Sequence, residues 1–358
     1  MMDDILKFAQ HLIRTHSTAD NITALNEAVL LVEKELKQYE INRFSSDGKP
    51  SLLIHNATPG IKHFKIILNA HLDVVQGNDF QFQPKIVDGR LYGRGAYDMK
   101  AAAAVMLMLF KEITNQLPYP LALQITTDEE TGTLGAKKQV DEGYRGEFII
   151  TGECGSNFRI TNKAKGVYKI KVTAQGMLSH SAYPWRGDNA IVKLQKAIAV
   201  ITDTYPLPKE ESYKTTINIT QIRSDNETWN KTPDHAEAYM DIRYMPEDKH
   251  ILSDLKKLLP QDVAIEEDPD YSFVSLNTDP NNAHVQSLRE IGKKILKQDI
   301  SFQTAHATSD LVRFTAVGCD GVEFGPIGEN QHGDNEWVDI KSLEDYFLIL
   351  KQFLLSIE

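Results

Sequence analysis

Two cysteines, Cys154 and Cys319, are all that this chain of 358 residues contains. Such scarcity excludes a disulfide framework. A single bridge between the two is unforced, and a reducing cytoplasm is the expected compartment. A basic excess is missing too. The formal net charge is −11, which argues against nucleic acid or an anionic membrane as partner, because both attract basic surfaces. The longest apolar run, Ala101 to Phe110, is too short to span a bilayer. The opening Met-Met-Asp-Asp-Ile-Leu-Lys-Phe lacks a basic n-region and reads as the start of an amphipathic helix, not as a secretory signal. Internal repeats and low-complexity tracts are absent. The glycine-rich Asp88-Gly-Arg-Leu-Tyr-Gly-Arg-Gly-Ala-Tyr-Asp98 fits neither the P-loop nor the dinucleotide fingerprint, so nucleotide binding is rejected there.

What is present is ordinary globular composition, 41% hydrophobic and 25% charged, in a length that predicts two domains or one with a large insertion. Apolar residues at helical spacing (Ile5, Phe8, Leu12, Ile13, then Leu25, Val29, Val32, Leu36) predict two helices around a polar turn. Residues 51–55 and 64–70 read as strands, the second apolar almost throughout, as a buried central strand is. Leu121, Leu123 and Ile125 alternate as a strand, and residues 146–153 form another that ends in a carboxylate. Strands alternating with helices over the first 160 residues predict an α/β fold with a mixed, mostly parallel sheet flanked by helices. From Tyr168 the pattern changes to cleanly alternating strands (168–174, 215–220, 236–243) with helices at 189–201 and 248–259 and a closing strand at 263–266. That is an α+β unit inserted into the first domain. The expected division is 1–164 plus 276–358 for one domain and 165–275 for the insertion.

The first domain is organised around Leu121-Ala-Leu-Gln-Ile-Thr-Thr-Asp-Glu-Glu-Thr-Gly. Asp128, Glu129 and Glu130 are adjacent carboxylates that repel one another unless a cation or a shared proton relieves them. Taken alone, such a triplet is more often a solvated loop. Yet His71, Glu129 and Glu130, Glu153 and His332 all follow separate strands, and Asp98 closes the glycine-rich loop. Ligand sites in open α/β sheets lie off the carboxyl ends of the strands, where these loops converge. Two imidazoles with several carboxylates suit Zn²⁺, with Mn²⁺ or Co²⁺ as lesser options. Setting Glu129 aside, five donors exceed one tetrahedral ion, whereas two ions bridged by one carboxylate use them all. Asp73 stands where a carboxylate can fix the tautomer of His71.

These residues resemble the acetylornithine deacetylase/succinyl-diaminopimelate desuccinylase family of co-catalytic zinc hydrolases, which includes aminoacylases and dipeptidases. The matching segments are Ala70-His-Leu-Asp-Val-Val, Tyr92-Gly-Arg-Gly-Ala-Tyr-Asp-Met-Lys, Thr127-Asp-Glu-Glu-Thr-Gly, Gly152-Glu and Ser179-His-Ser-Ala-Tyr-Pro. Asp241-Ile-Arg and Phe324-Gly-Pro-Ile with His332 and Asn335-Glu336 continue the match along essentially the whole chain. The resemblance implies two Zn²⁺ per chain, one held by His71, Asp98 and Glu153 and the other by Asp98, Glu130 and His332, with Asp98 bridging. It makes Glu129 the general base towards a metal-bridging water and His180 a donor to the tetrahedral oxyanion, with Asp73 in support. It assigns Asn230 and Arg243 to a substrate carboxylate, for which a forked Arg contact is the expected device, and Ser309 to substrate binding. Without the resemblance, Arg243 reads as the exposed face of an alternating strand. The inserted domain becomes a lid and the surface of a homodimer.

The implied activity is removal of an acetyl or succinyl group from an amino acid such as ornithine or diaminopimelate. An exopeptidase acting on di- or tripeptides keeps the same chemistry, and a catalytically silent relative would have lost a ligand or the base, none of which is missing. Subfamily signals conflict. Asp241-Ile-Arg-Tyr-Met-Pro leans to the deacetylases and Thr308-Ser-Asp310 to the desuccinylases, while Cys154-Gly-Ser stands where both usually carry Pro-Thr or Pro-Ser.

Overall fold

A computed structural model describes residues 1–357. The chain forms two compact units, the first comprising Met1–Lys163, Asn277–Gln303 and Ser309 onward, the second Ala164–Leu276 with Thr304–Thr308.

The first unit is built on a mixed sheet. Its strands run, in spatial order, Glu40–Ser46, Lys49–His55, Leu121–Thr126, His63–His71, Arg145–Thr151, Asp320–Glu323 and Ile160–Ala164. The central four are parallel to one another, and the first two form an antiparallel hairpin at one edge. Parallel neighbours need crossovers, and helices Ala101–Ile113 and Leu134–Asp141 supply them. The central strand is apolar on both faces (Ile66, Ile67, Leu68 and Ala70 are fully buried) because helices cover the sheet. Ile5, Leu12 and Ile13 of helix Met2–Arg14, Ala104 and Phe110 of Ala101–Ile113, and Tyr346, Leu350 and Phe353 of Ile340–Leu355 share one core with it. The hairpin strand 40–46 escapes sequence reading, because Glu40-Ile-Asn-Arg-Phe-Ser-Ser carries only two apolar residues.

A second, smaller sheet was also not foreseen. Lys85–Val87, Arg90–Tyr92, Trp337–Asp339 and Gly328–Glu329 pair in antiparallel fashion. Strands of two or three residues leave no periodicity to detect. This sheet joins the glycine-rich loop to the segment carrying His332.

The second unit is a four-stranded antiparallel sheet in the order Thr216–Arg223, His235–Tyr244, Gly166–Gln175, Val263–Glu267. Helices Ala190–Thr204 and Ile251–Leu258 cover one face. Along His235–Tyr244 the alternate residues Ala236, Ala238, Met240, Ile242 and Tyr244 are buried, the pattern of a sheet with one wet side. Among the described residues no helix is long and apolar enough to cross a membrane. Both cysteines are free thiols.

Candidate metal centre

Register brings the first donors level. His71 is the last residue of its strand and pairs with Thr126, while Asn69 pairs with Thr151 on the other side. Three neighbouring parallel strands therefore end together, and the chain leaving each carries a donor within a few residues: His71 itself, Glu129 and Glu130 after Thr126, and Glu153 after Thr151. His332 follows a shorter strand, of the smaller sheet. It lies between strands Gly328–Glu329 and Trp337–Asp339, in the left-handed backbone region at φ +60°.

Asp98 stands at the centre. Its Oδ1 is 3.1 Å from His71 Nε2, and its Oδ2 is 3.1 Å from His332 Nε2. Glu153 Oε1 lies 3.7 Å from the same His71 nitrogen, and Glu130 Oε1 lies 3.1 Å from the same His332 nitrogen. One carboxylate thus faces two imidazoles, each with a further carboxylate beside it. His71, Glu129 and Glu153 form a third close grouping. The structure brings His71, Asp98, Glu129, Glu130, Glu153 and His332 into one pocket of the first unit.

The chain positions these groups by hydrogen bonds to backbone. The turn through Gly95, at φ +80°, has no room for a side chain; a Cβ there would come within 2.7 Å of Val74 Cγ1. The loop it makes is held by Glu336, which is buried. Oε1 of Glu336 accepts from the N–H of Tyr97 at 2.9 Å and of Asp98 at 3.0 Å, and Oε2 from Gly95 N at 3.0 Å and Arg94 Nη1 at 2.8 Å. Arg94 Nη2 in turn donates to the carbonyl of His332 at 3.1 Å. Asp73 performs the matching task on the other side. Its two oxygens accept from Glu129 N at 3.2 Å and Glu130 N at 3.0 Å. The expected contact with His71 is made mainly by the Asp73 main-chain carbonyl, 3.0 Å from Nδ1, with Oδ1 at 3.5 Å. A carbonyl can only accept, so Nδ1 carries a proton and Nε2 is left to face the pocket.

Asp128, which has no role readable in sequence, organises the acidic turn. Its main-chain carbonyl accepts from the N–H groups of Thr131, Gly132 and Thr133, and its Oδ2 from Gly135 N at 2.8 Å. Glu336 and Asp128 are the two residues that sequence reasoning missed. The only signal for Glu336 was its place in the Asn335-Glu336 match.

Electrostatics follow from crowding. Burial and the Glu153 charge push the Glu129 carboxyl well above the usual range. Burial also pushes Glu153 up well beyond what His71 offsets. Asp98 is held low, because hydrogen bonds from His332 and His71 outweigh its burial. The hydrogen bonds to Asp98 and Glu130 raise His332 to about 10. Such a pocket favours positive charge. Glu153 Oε1 is buried with no hydrogen-bond partner, an expensive arrangement for a carboxylate unless a cation completes it. Two imidazoles and four carboxylates are a donor set for divalent ions of the zinc type. The residues present fit the group.

Other expected site residues lie elsewhere. Ser309 is buried in the first unit, with its hydroxyl donating to Glu323 Oε1 at 2.7 Å. His180, Asn230 and Arg243 belong to the second unit. His180 is exposed, and its Nδ1 accepts from Ala182 N at 3.1 Å, which leaves Nε2–H as a free donor. Asn230 is exposed in a turn beside the fully exposed Trp229. The forked contact expected of Arg243 is made with Asp241 of its own strand, Nε to Oδ1 at 2.8 Å and Nη2 to Oδ2 at 3.2 Å. Residues two apart share a face of a strand, which explains the pairing.

Comparison with known proteins agrees in kind. The model of peptidase family M20/M25/M40 matches residues 67–356. A succinyl-diaminopimelate desuccinylase of Rickettsia akari is 28% identical over 368 residues, covering 94% of this chain and 96% of that protein. Among solved structures, an aminopeptidase PepT from Bacillus cereus superposes with a TM-score of 0.77 at 19% identity, over 99% of this chain and 98% of that one. A tripeptidase from Staphylococcus aureus does so with 0.75 at 21% identity, over 99% and 98%.

Proposed function

The chain belongs to peptidase family M20/M25/M40, a membership that makes it a metal-dependent hydrolase of amide C–N bonds, and we propose that it removes an acetyl or succinyl group from an amino acid such as ornithine or diaminopimelate. The observation that carries the reading is Asp98, whose two oxygens each meet a different imidazole at 3.1 Å. That is the arrangement a bridging carboxylate needs. His71, Asp98 and Glu153 would hold one Zn²⁺, and Asp98, Glu130 and His332 would hold the other. Divalent ions bound there supply Lewis acidity, which polarises the scissile carbonyl and makes water a stronger acid.

The side chains do the rest. Glu129, whose carboxyl burial and the Glu153 charge hold well above the usual range, takes the proton of the attacking water and passes it to the leaving nitrogen. Asp73 fixes Glu129 and Glu130 through their N–H groups, so that base and ligand move together. His180 donates from Nε2 to the oxyanion as the carbonyl carbon becomes tetrahedral. Asn230 and Arg243 bind the substrate carboxylate, Arg243 exchanging part of its pairing with Asp241 for it. The second unit acts as a lid and carries the homodimer contact, which sedimentation of the purified protein tests directly.

A second reading, cleavage of di- or tripeptides by the same centre, is favoured by the names of the aminopeptidase and tripeptidase whose folds this chain shares. Both readings are separated by one assay. Zinc-reconstituted protein is offered N-acetylornithine, N-succinyl-diaminopimelate, other N-acyl amino acids and simple di- and tripeptides. Turnover of an acyl amino acid is expected. Turnover of peptides alone overturns the first reading for the second, and no turnover at all favours a catalytically silent relative.

A further inference from the structure

Cys154 follows Glu153 directly, and nothing so far gives it a task. Its sulfur lies in a grouping with Asp98 and Glu153 in which one donor atom from each falls within 4.8 Å of the others. Donors bound at 2.0–2.3 Å to one tetrahedral ion stand about 3.5 Å apart, so a small side-chain rotation closes the set. The thiol is half-buried and donates to Gln331 Oε1 at 3.1 Å, on an exposed side chain that water can replace. The second observation is independent of the cysteine. Glu153, 9% exposed, has its Oε1 buried without a hydrogen-bond partner, 3.7 Å from His71 Nε2. A buried carboxylate oxygen left open on the residue next to the thiol marks a place that a cation would fill.

We propose that Cys154 is an additional, sulfur ligand of the ion held by His71, Asp98 and Glu153, and that it biases this position towards thiophilic ions such as Zn²⁺ and Cd²⁺ over Mn²⁺. The inference rests on the dinuclear centre proposed above. On ligation the S–H bond breaks, a sulfur–metal bond forms and the proton leaves to solvent; no electrons are exchanged. Thiolate is the softest donor in the pocket, whose other donors are carboxylate oxygens and imidazole nitrogens, so it separates ions that those donors bind alike. Among the described residues, the grouping Asp98, Glu130 and His332 at the other position includes no cysteine. The two positions therefore differ in metal preference although they share Asp98.

The test is cobalt substitution. The full-length protein is stripped of metal, reloaded with Co²⁺ and examined by near-ultraviolet absorption, with bound cobalt counted. Wild type is expected to show a sulfur-to-cobalt charge-transfer band that Cys154→Ser and Cys154→Ala lack entirely. Cys319, buried immediately ahead of strand Asp320–Glu323, stays in all three as an internal control. Cd²⁺ affinity is expected to fall in Cys154→Ser by at least about tenfold, the lower end of what even an indirect partner costs, with Mn²⁺ affinity little changed. Cobalt bound by wild type without that band overturns the sulfur ligand and leaves the dinuclear reading standing. Failure of wild type to bind cobalt overturns both. Since wild type alone decides, a variant that does not fold leaves the test intact.

Discussion

Glu336 holds Asp98 through the main chain: the Asp98 N–H donates to Glu336 Oε1 at 3.0 Å, and the same carboxylate takes the N–H groups of Tyr97 and Gly95 and the guanidinium of Arg94. The residue that faces both imidazoles is therefore aimed by one that touches neither. Glu336→Gln puts an amide NH₂ where an oxygen met two donors and removes the charge opposite Arg94. Breaking such a buried pair costs about 3–5 kcal/mol. Urea unfolding of the metal-free protein should show that loss, and metal affinity should fall with it. A variant as stable as wild type would remove Glu336 from this role.

Glu129→Gln preserves shape but cannot carry a proton. Metal content measured by mass spectrometry should be unchanged, and kcat should fall by about 10²–10⁴-fold. Retained turnover would sink the assignment of Glu129 as base.

Ser309→Ala tests where that hydroxyl is spent. Removing it leaves Glu323, buried and already pushed up to about 7 by burial, without its donor. Stability should drop by about 1–3 kcal/mol. KM should stay put, and a raised KM at unchanged stability would restore Ser309 to the substrate.

The pH dependence of stability has a defined sign at Asp128. Burial, then the neighbouring Asp310, raise its carboxyl from 3.8 to about 7. The folded state therefore resists ionising it, and the unfolded state does not. Stability from this group is complete below the unfolded value and is lost as pH climbs towards about 7. Asp128→Asn has no such loss. Melts of metal-free wild type and variant at about pH 5 and about pH 8 should show a gap that shifts in favour of the variant at the higher pH, by up to about 3 kcal/mol. A gap independent of pH would show that Asp128 ionises freely.

The donors of the pocket were legible in sequence because each lies next to a strong local signal. His71 ends an apolar strand, Asp98 closes a glycine-rich turn, and Glu129, Glu130 and Glu153 follow two further strands. The supports were not. Glu336 acts on Asp98 from 238 residues away, and Asp73 acts on a turn 56 residues on; neither distance leaves a periodic trace. The partners of Ser309 and Arg243 left no trace either: the Ser309 hydroxyl meets Glu323, a purely tertiary contact, and Arg243 meets Asp241, which shares its face of the strand. The small sheet that carries His332 was invisible because its strands are too short to alternate.

The donors reach from position 71 to position 332, and apart from the neighbours Glu153 and Cys154 no two proposed for the same ion are close in the chain. An unfolded polypeptide therefore offers no ready-made binder, and ions grip only the finished fold. Every tenfold rise in free ion above its dissociation constant then deepens the folded state by about 1.4 kcal/mol. Without ions, the same crowd of carboxylates pushes the pocket apart. Ion supply thus sets how long each molecule survives as well as how fast it works, and starvation for metal would be felt first as a shortage of the protein itself.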